Sequence, residues 1–339
     1  MAATIHDVAK HAGVSIGTVS RAINNYKDIS PETKERVFKS IKELGYTPNV
    51  IARGLSSKTT SNIGVIVSGL LDSNRFDNLW YMLLQGIYRY TSENDLEVAI
   101  YPTNSKEQTR KSYTKFCKER NIAGAIISGI TITDVYFKEL VNAEIPCVVI
   151  DVPMVGKKVG CVSVDNIKAS AEITDYLISN NHTKLCVIAG KKTAAVTLDR
   201  MKGINQSVMS NGLQIDDEDI LYCDFSQEIA YKNVREYIEK HDKSRATAFV
   251  CMSDIMAMGA IDAIKDCGYS VPGDFSVTGF DDIPVSQLIS PALTTIRQDL
   301  IQIGYESAAL LKKIIDDPSE AKHVYAQYQL MIRSSVRSL

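Results

Sequence analysis

The chain has 339 residues, 45% hydrophobic and 23% charged, with a net charge of −2. At roughly 100–200 residues per domain, this length holds two or three domains, and the balance excludes wholesale disorder, collagen-like repeats and disulfide miniproteins. No apolar run approaches the ~18 residues of a membrane-spanning helix. The start, Met-Ala-Ala-Thr-Ile-His-Asp, lacks a basic cluster and an apolar stretch, so a secretory signal is not expected and the cytoplasm is.

Seven cysteines, Cys117, Cys147, Cys161, Cys186, Cys223, Cys251 and Cys267, make an odd number with no Cys-x-x-Cys pair. Most lie in apolar runs such as Pro-Cys-Val-Val-Ile and read as small buried hydrophobes in a reducing compartment. The five histidines are scattered, without His-x-x-x-His or a Cys/His cluster, so neither a metal site nor a cofactor is expected. Charge is unevenly spread. Residues 1–60 hold nine Lys/Arg against five acids, a balance of +4, which leaves −6 on the other 279 residues. A small basic head on a mildly acidic body points to a polyanion partner for the head.

The head reads as three short helices. Thr4 with Asp7 forms a capping box for a helix over Ile5–His11. Ala12-Gly13-Val14 makes a turn, and Ser15 caps a second helix from Ile16 to about Asn24. Val19 and Ile23 face inward there, leaving Gly17, Thr18 and Arg21 outside. Ser30-Pro31-Glu32 starts a third helix, with Val37, Phe38, Ile41 and Leu44 as its apolar stripe and Gly45 as its end. Two helices across a glycine turn with a third packed on them is the helix-turn-helix pattern, whose second helix enters the major groove of DNA. Residues 1–48 are thus a DNA-binding head. Residues 49–61 read as one short helix within Asn49–Ser57, too small to be stable alone, and then a polar linker.

From Ile63 the pattern becomes strand alternating with helix. Strands are expected at 63–67, 96–101, 123–128, 146–151, 184–189, 221–224, 247–252 and 275–280, with one more at the C-terminus. Helices are expected at 79–91, 105–120, 134–143, 200–211, 227–240 and 254–267. Such alternation gives parallel sheets covered on both faces. About nine strands suit two lobes, with a crossing near Val155–Gly160. Ligands of such sheets bind beyond the carboxyl ends of the strands. Here those ends carry Asp151, Asp224, Ser253-Asp254 and Asp281-Asp282.

At this point the sequence resembles the lactose-repressor (LacI/GalR) family. Thr4-Ile-His-Asp-Val-Ala-Lys-His-Ala-Gly-Val-Ser-Ile-Gly-Thr-Val-Ser-Arg-Ala-Ile-Asn24 is similar to its DNA-binding head, and Gly45-Tyr-Thr-Pro-Asn-Val-Ile-Ala-Arg-Gly-Leu55 to its hinge helix. Ser253-Asp-Ile-Met-Ala-Met-Gly-Ala260, Thr278-Gly-Phe-Asp-Asp282 and Pro291-Ala-Leu-Thr-Thr-Ile296 are similar to its regulatory core. The resemblance runs in order along essentially the whole chain. It implies an α/β protein with an N-terminal helix-turn-helix head and a two-lobed, periplasmic-binding-protein-like core of parallel sheets over residues 62–339. Lobe 1 would hold about 62–160 and 291–325, and lobe 2 about 161–290 and 326–339. It also implies a transcriptional regulator that binds palindromic operator DNA as a homodimer and answers to a small molecule, usually a sugar, sometimes a nucleobase.

The resemblance further implies residue roles. Thr4, Ser15, Thr18, Ser20 and Asn24 would meet the DNA, mainly at phosphates, while Ile16, Gly17 and Arg21 hold the base-reading positions. Arg21 is the strongest, since a guanidinium grips guanine O6 and N7 in a bidentate fork. Leu55 would wedge a minor-groove step, with Asn49 and Ala52 beside it. In the cleft, Arg200 would grip effector hydroxyls and Asp281 accept from them. Phe225 would stack on the ring, with Asp151, Ser253, Asp254 and Phe76 as further lining. A family variant gated by a phosphoprotein is the alternative, and no residue set in the sequence argues for that partner. A transport protein is opposed by the fused head. An enzyme is opposed by the lack of a phosphate-cradling glycine loop after a strand and of a Gly-x-Ser-x-Gly elbow.

Overall fold

The computed structural model describes residues 3–23, 26, 28–46, 62–70, 79–241 and 245–339. The chain divides into two compact units, residues 1–61 and 62–339.

The first unit contains α1 (Ile5–Ala12), α2 (Ile16–Ile23) and α3 (Pro31–Leu44). Each start is fixed by a side-chain oxygen that satisfies an otherwise orphaned N–H. Thr4 and Asp7 cap each other across α1. Ser15 Oγ accepts from Thr18 N at 3.1 Å, and Ser30 Oγ accepts from Thr33 N at 3.3 Å. Gly13 (φ 66°) and Gly45 (φ 61°) end α1 and α3 in the left-handed conformation that glycine adopts without strain. Val8, Ala9, Ala12, Val19, Ala22 and Val37 form the buried core. Phe38 departs from the expected stripe: it is 50% exposed. Adjacent residues on a helix lie about 100° apart, so Val37, with Ile41 and Leu44 at the next turns, takes the inner face and turns Phe38 outward. Ser40 fills the gap and bonds His11 Nδ1 at 3.1 Å.

The second unit runs β1 (Asn62–Ser68), α4 (Leu79–Glu93), β2 (Glu97–Thr103), α5 (Ser105–Arg110), α6 (Tyr113–Glu119), β3 (Gly124–Ser128), α7 (Val135–Leu140), β4 (Cys147–Ile150) and β5 (Val159–Val164). It continues α8 (Asn166–Ser179), β6 (Leu185–Ala189), α9 (Ala195–Ser210), β7 (Ile220–Tyr222), α10 (Gln227–His241), β8 (Ala248–Cys251), α11 (Asp254–Asp266) and β9 (Ser276–Asp281). The last elements are β10 (Thr294–Gln298), α12 (Leu300–Asp316), β11 (His323–Ala326) and β12 (Tyr328–Met331). The strands form two six-stranded sheets, ordered β11-β5-β4-β3-β1-β2 and β12-β10-β9-β8-β6-β7. Among the described residues, the named strands pair in parallel except β10 with β12. The central strands are buried on both faces, as parallel sheets under helices must be.

Sheet membership moves both expected lobe boundaries. Gly156 bridges back to Val159, so the segment expected to cross over is a tight turn, and β5 remains in the first sheet. The first crossing follows Val164 instead. β10, expected to serve lobe 1, belongs to the second sheet, and the return crossing lies between Gln298 and Leu300. A third crossing joins β11 to β12. The expected helix 105–120 is two helices, because Ser112 Oγ accepts from Lys115 N at 3.3 Å and starts a new one. In lobe 1, α4 and α12 meet backbone to backbone. A Cβ on Gly86 would lie 1.8 Å from Ile301 O, and one on Gly304 would lie 2.1 Å from Leu83 O. No side chain fits at either position.

Six of the seven cysteines are buried, Cys267 is half-buried, and all are free thiols. Burial pushes the thiols of Cys117, Cys161 and Cys223 up to about 12, which keeps them protonated and inert. Among the described residues, no helix is long and apolar enough to cross a membrane. No group of three or more His, Cys, Asp or Glu is arranged there to hold a metal ion.

Candidate functional site

Between the carboxyl ends of the two sheets lies a cleft of about 270 Å³. Lobe 1 supplies Ser68 from the end of β1, Ser128 from the end of β3 and Asp151 after β4. Lobe 2 supplies Phe225 after β7, Ser253 after β8, Asp281 ending β9 and Gln298 ending β10. Arg200 rises from the second turn of α9, which begins five residues earlier than expected. Backbone strain collects here. Asp151 (φ 58°), Asp224 (φ 52°), Phe225 (φ 58°), Asp281 (φ 121°) and Asp282 (φ 54°) all hold positive φ at strand ends. Non-glycine residues take that conformation at a cost, and it recurs where side chains must be aimed.

Arg200 is the hub. Its side chain is 4% exposed. Nε donates to Asn166 Oδ1 at 2.9 Å, Nη1 donates to Met252 O, and Nη2 stands 3.9 Å from Asp281 Oδ1. Its Cζ lies 3.5 Å from the Phe280 ring centroid. Burial draws the guanidinium below its usual value, and Asp281 and Asp151 oppose that. Asp281 Oδ1 also accepts from Gln298 Nε2 at 2.7 Å. Burial pushes the Asp151 carboxyl above its usual value, with Arg200 and Asn166 pulling it down. Two acceptor atoms in this wall, Asp151 Oδ1 and Gln298 Oε1, are buried without a hydrogen-bond partner. The Phe225 ring lies against the backbone of Gly190, where a Cβ would sit 2.1 Å from Cζ. The ring is thereby a fixed plate, and Leu79, Trp80 and Leu83 extend the apolar wall.

Of the residues expected in the cleft, Asp151, Arg200, Phe225, Ser253 and Asp281 line it together. Phe76 lies outside the described residues. Asp254 does not line the cleft. It is fully buried and accepts from Ile283 N at 2.9 Å, Ser286 Oγ at 2.6 Å and Thr295 Oγ1 at 2.5 Å. Ser253 caps α11 and faces the cleft, so the next residue turns into the sheet and ties β10 and the 284–287 turn to the helix. Gln298, Asn166, Trp80 and Asp134 carry no motif and were not expected here. Asp134 accepts from Ser105 Oγ at 2.5 Å and from Thr131 N at 2.8 Å, which fixes the lobe 1 rim.

Burial raises the Asp254 carboxyl to about 6 despite its three hydrogen bonds. Its folded-state value then lies above the ordinary value of about 4, so the fold favours the protonated form. The stability contributed by this carboxyl is therefore expected to be fully present below about pH 4 and to be lost as pH rises through about 6. Asp254→Asn, which stays uncharged, should flatten that decline. Urea midpoints measured from pH 4 to 7 check it, and parallel curves for the two proteins would refute it.

In the first unit, Ser15, Ile16, Gly17 and Arg21 lie exposed along α2 and the turn before it, while Val19 and Ala22 face the core. Thr18 and Ser20 are half-buried, and Thr18 Oγ1 bonds Ser15 Oγ at 2.9 Å. Thr4 is exposed and bonded to Asp7. Asn24, Asn49, Ala52 and Leu55 lie outside the described residues.

Residues 4–49 match the lacI family of bacterial regulatory proteins, and residues 174–336 match the periplasmic binding protein-like domain. The chain is 31% identical to the HTH-type transcriptional regulator MalR of Clostridium butyricum, with 98% of each chain covered. It is also 31% identical, over 98% of each chain, to the HTH-type transcriptional repressor PurR of Aliivibrio fischeri strain MJ11. Among solved structures it resembles the transcriptional regulator CelR–cellobiose complex (27% identity, TM-score 0.74, 98% and 99% covered). It shares the fold of the lac repressor dimer bound to operator and the anti-inducer ONPF (24% identity, TM-score 0.85, 99% and 100% covered). Matched by the family model at its head and by full-length relatives of this kind, the chain belongs to the lacI family of bacterial regulatory proteins: it is a DNA-binding transcriptional regulator, not an enzyme.

Proposed function

We propose that the protein is a repressor that binds a palindromic operator as a homodimer and is controlled by a neutral sugar held between its lobes. The observation that carries the sugar reading is the pair of buried, unpartnered acceptors, Asp151 Oδ1 and Gln298 Oε1, in the cleft wall. An unmet buried acceptor is costly, so this wall favours a ligand rich in donors. Sugar hydroxyls supply them, and the apolar face of a sugar ring matches the Phe225 plate. The relative solved with cellobiose agrees with this reading. A nucleobase is the second reading, favoured by the same aromatic plate and by the relatives named PurR.

Three strand crossings join the lobes, so a ligand that bonds both sides shifts them toward closure. The hinge at 49–61 would carry that shift to the head, coupling effector to operator. On the DNA, Thr4, Ser15, Thr18, Ser20 and Asn24 would hold phosphates, and Ile16, Gly17 and Arg21 would read bases. Asn49, Ala52 and Leu55 would serve the minor groove. A second copy would cover the exposed Tyr81 and Tyr88 of α4 and Ile100 of the edge strand β2. Such a protein works on the bacterial nucleoid, in the cytoplasm.

A thermal-shift screen tests the ligand class. At a hundredfold excess over Kd, a ligand specific to the folded state adds about 2.7 kcal/mol. Neutral mono- and disaccharides are expected to raise the melting temperature. Stabilisation by purine bases alone would replace the sugar reading with the second one.

A further inference from the structure

Arg21 leaves α2 on its exposed side, and its guanidinium is already engaged there. Nη2 donates to Asp28 Oδ2, and Cζ stands 5.5 Å from the centroid of the Tyr26 ring. Tyr26 is tied back to the helix, its N–H donating to Arg21 O at 3.1 Å. The ion pair is at the surface, its two side chains 52% and 49% exposed.

An acid next to a DNA-reading cation has a cost, because it faces a polyanion. The other acids of the described head have separate settings. Asp7 closes the α1 capping box, Glu32 sits in the first turn of α3, Glu35 is exposed one turn further along α3, and Glu43 stands 3.8 Å from His11. Asp28 lies in the loop between α2 and α3 and spends its carboxylate on Arg21. A guanidinium carries five N–H donors in a planar fork. One Nη2 hydrogen given to Asp28 leaves one two-nitrogen edge of the fork open for guanine O6 and N7. Arginine is long and loses much rotamer freedom on being fixed. The carboxylate and the ring impose that order before DNA arrives.

We propose that Asp28, with Tyr26 beside it, is a positioning residue that holds Arg21 in the orientation for reading a guanine. This rests on Arg21 being the base reader. The full-length chain is used to select its site from a randomised duplex pool. Binding is then measured to that duplex, to versions with each base pair exchanged, and to a scrambled duplex. At the base pair that Arg21→Ala ceases to sense, Asp28→Ala is expected to cut discrimination about three- to fivefold. Its affinity for the scrambled duplex should not fall, because the head becomes more positive. Asp28→Asn keeps an acceptor oxygen and should recover part of the discrimination. In the Arg21→Ala background, Asp28→Ala should change nothing at that base pair. The proposal is overturned if Asp28→Ala tightens binding to every duplex by one factor, which is a pure charge effect. It is equally overturned if discrimination falls at all base pairs together with the melting temperature, which is a damaged head. If Arg21→Ala leaves sequence preference intact, the base-reading assignment fails and takes this one with it. If Arg21→Ala relaxes preference while Asp28→Ala is neutral there, only the role of Asp28 fails.

Discussion

Arg200→Ala is expected to abolish effector control while leaving operator binding in the absence of effector. The guanidinium joins α9 to Asn166 at the start of α8, Met252 O just after β8 and Asp281 at the end of β9. On the proposed reading, a ligand hydroxyl bonded to Asp151 or Asp281 would sit beside acids whose charge Arg200 offsets. Removing one partner of a buried charge pair leaves the other uncompensated, typically at 3–5 kcal/mol. Part of that loss appears as a lower melting temperature. The rest appears as ligand affinity reduced by about 100-fold or more, equivalent to about 3 kcal/mol. Arg200→Lys keeps the charge without the planar fork and should fall between the two proteins. The readout is the effector concentration needed to shift the operator complex, measured beside the melting curve. The DNA-binding unit has its own core and caps, so a folded variant should still find its operator. A normal effector response in Arg200→Ala would place the ligand elsewhere.

Local chemistry made the first unit legible in the sequence. Thr4 with Asp7, Ser15, Ser30-Pro31, Gly13 and Gly45 act within one turn of their own position, and each stands where its spacing put it. Phe38 was misread because adjacent apolar residues blur which one faces inward. In the second unit the alternation of strand and helix was visible, but sheet membership was not. β5 and β10 each pair with the strand just before them, β4 and β9, but a strand's own residues do not say whether the chain stays in its sheet or crosses to the other. The same limit shaped the reading of the cleft. Asp151, Phe225, Ser253 and Asp281 stand at or just beyond strand ends, where a general rule of parallel sheets places ligand groups. Gln298 ends a strand that was not expected at its place, and Trp80 and Asn166 sit near helix starts. None of the three carries a local signal. Asp254 follows Ser253 directly, yet the turn of α11 sends one side chain to the cleft and the next into the core.

Arg21→Ala is expected to remove operator preference while leaving weak binding to any duplex. The exposed face of α2 offers few groups that read a base edge. Ile16 can meet only a thymine methyl, Gly17 presents backbone alone, and Ser20 is half-buried. Sequence discrimination therefore concentrates on one long side chain. A bidentate arginine–guanine contact gives about 1–3 kcal/mol of discrimination per site, and a palindrome read by two heads doubles it. In dimer terms the preference for operator over scrambled duplex should fall by about 30-fold at least. What remains comes from the other cations of residues 1–60, which carry nine Lys/Arg in all. That residue of binding should weaken steeply with salt, because each phosphate contact releases a counterion. Its salt slope should nearly match that of the wild-type protein, since Arg21 is assigned to a base and not to a phosphate. Titrations at several salt concentrations, on operator and scrambled duplexes, separate the two roles. A slope reduced by about one per head, with the preference intact, would make Arg21 a phosphate clamp and pass base reading to another element.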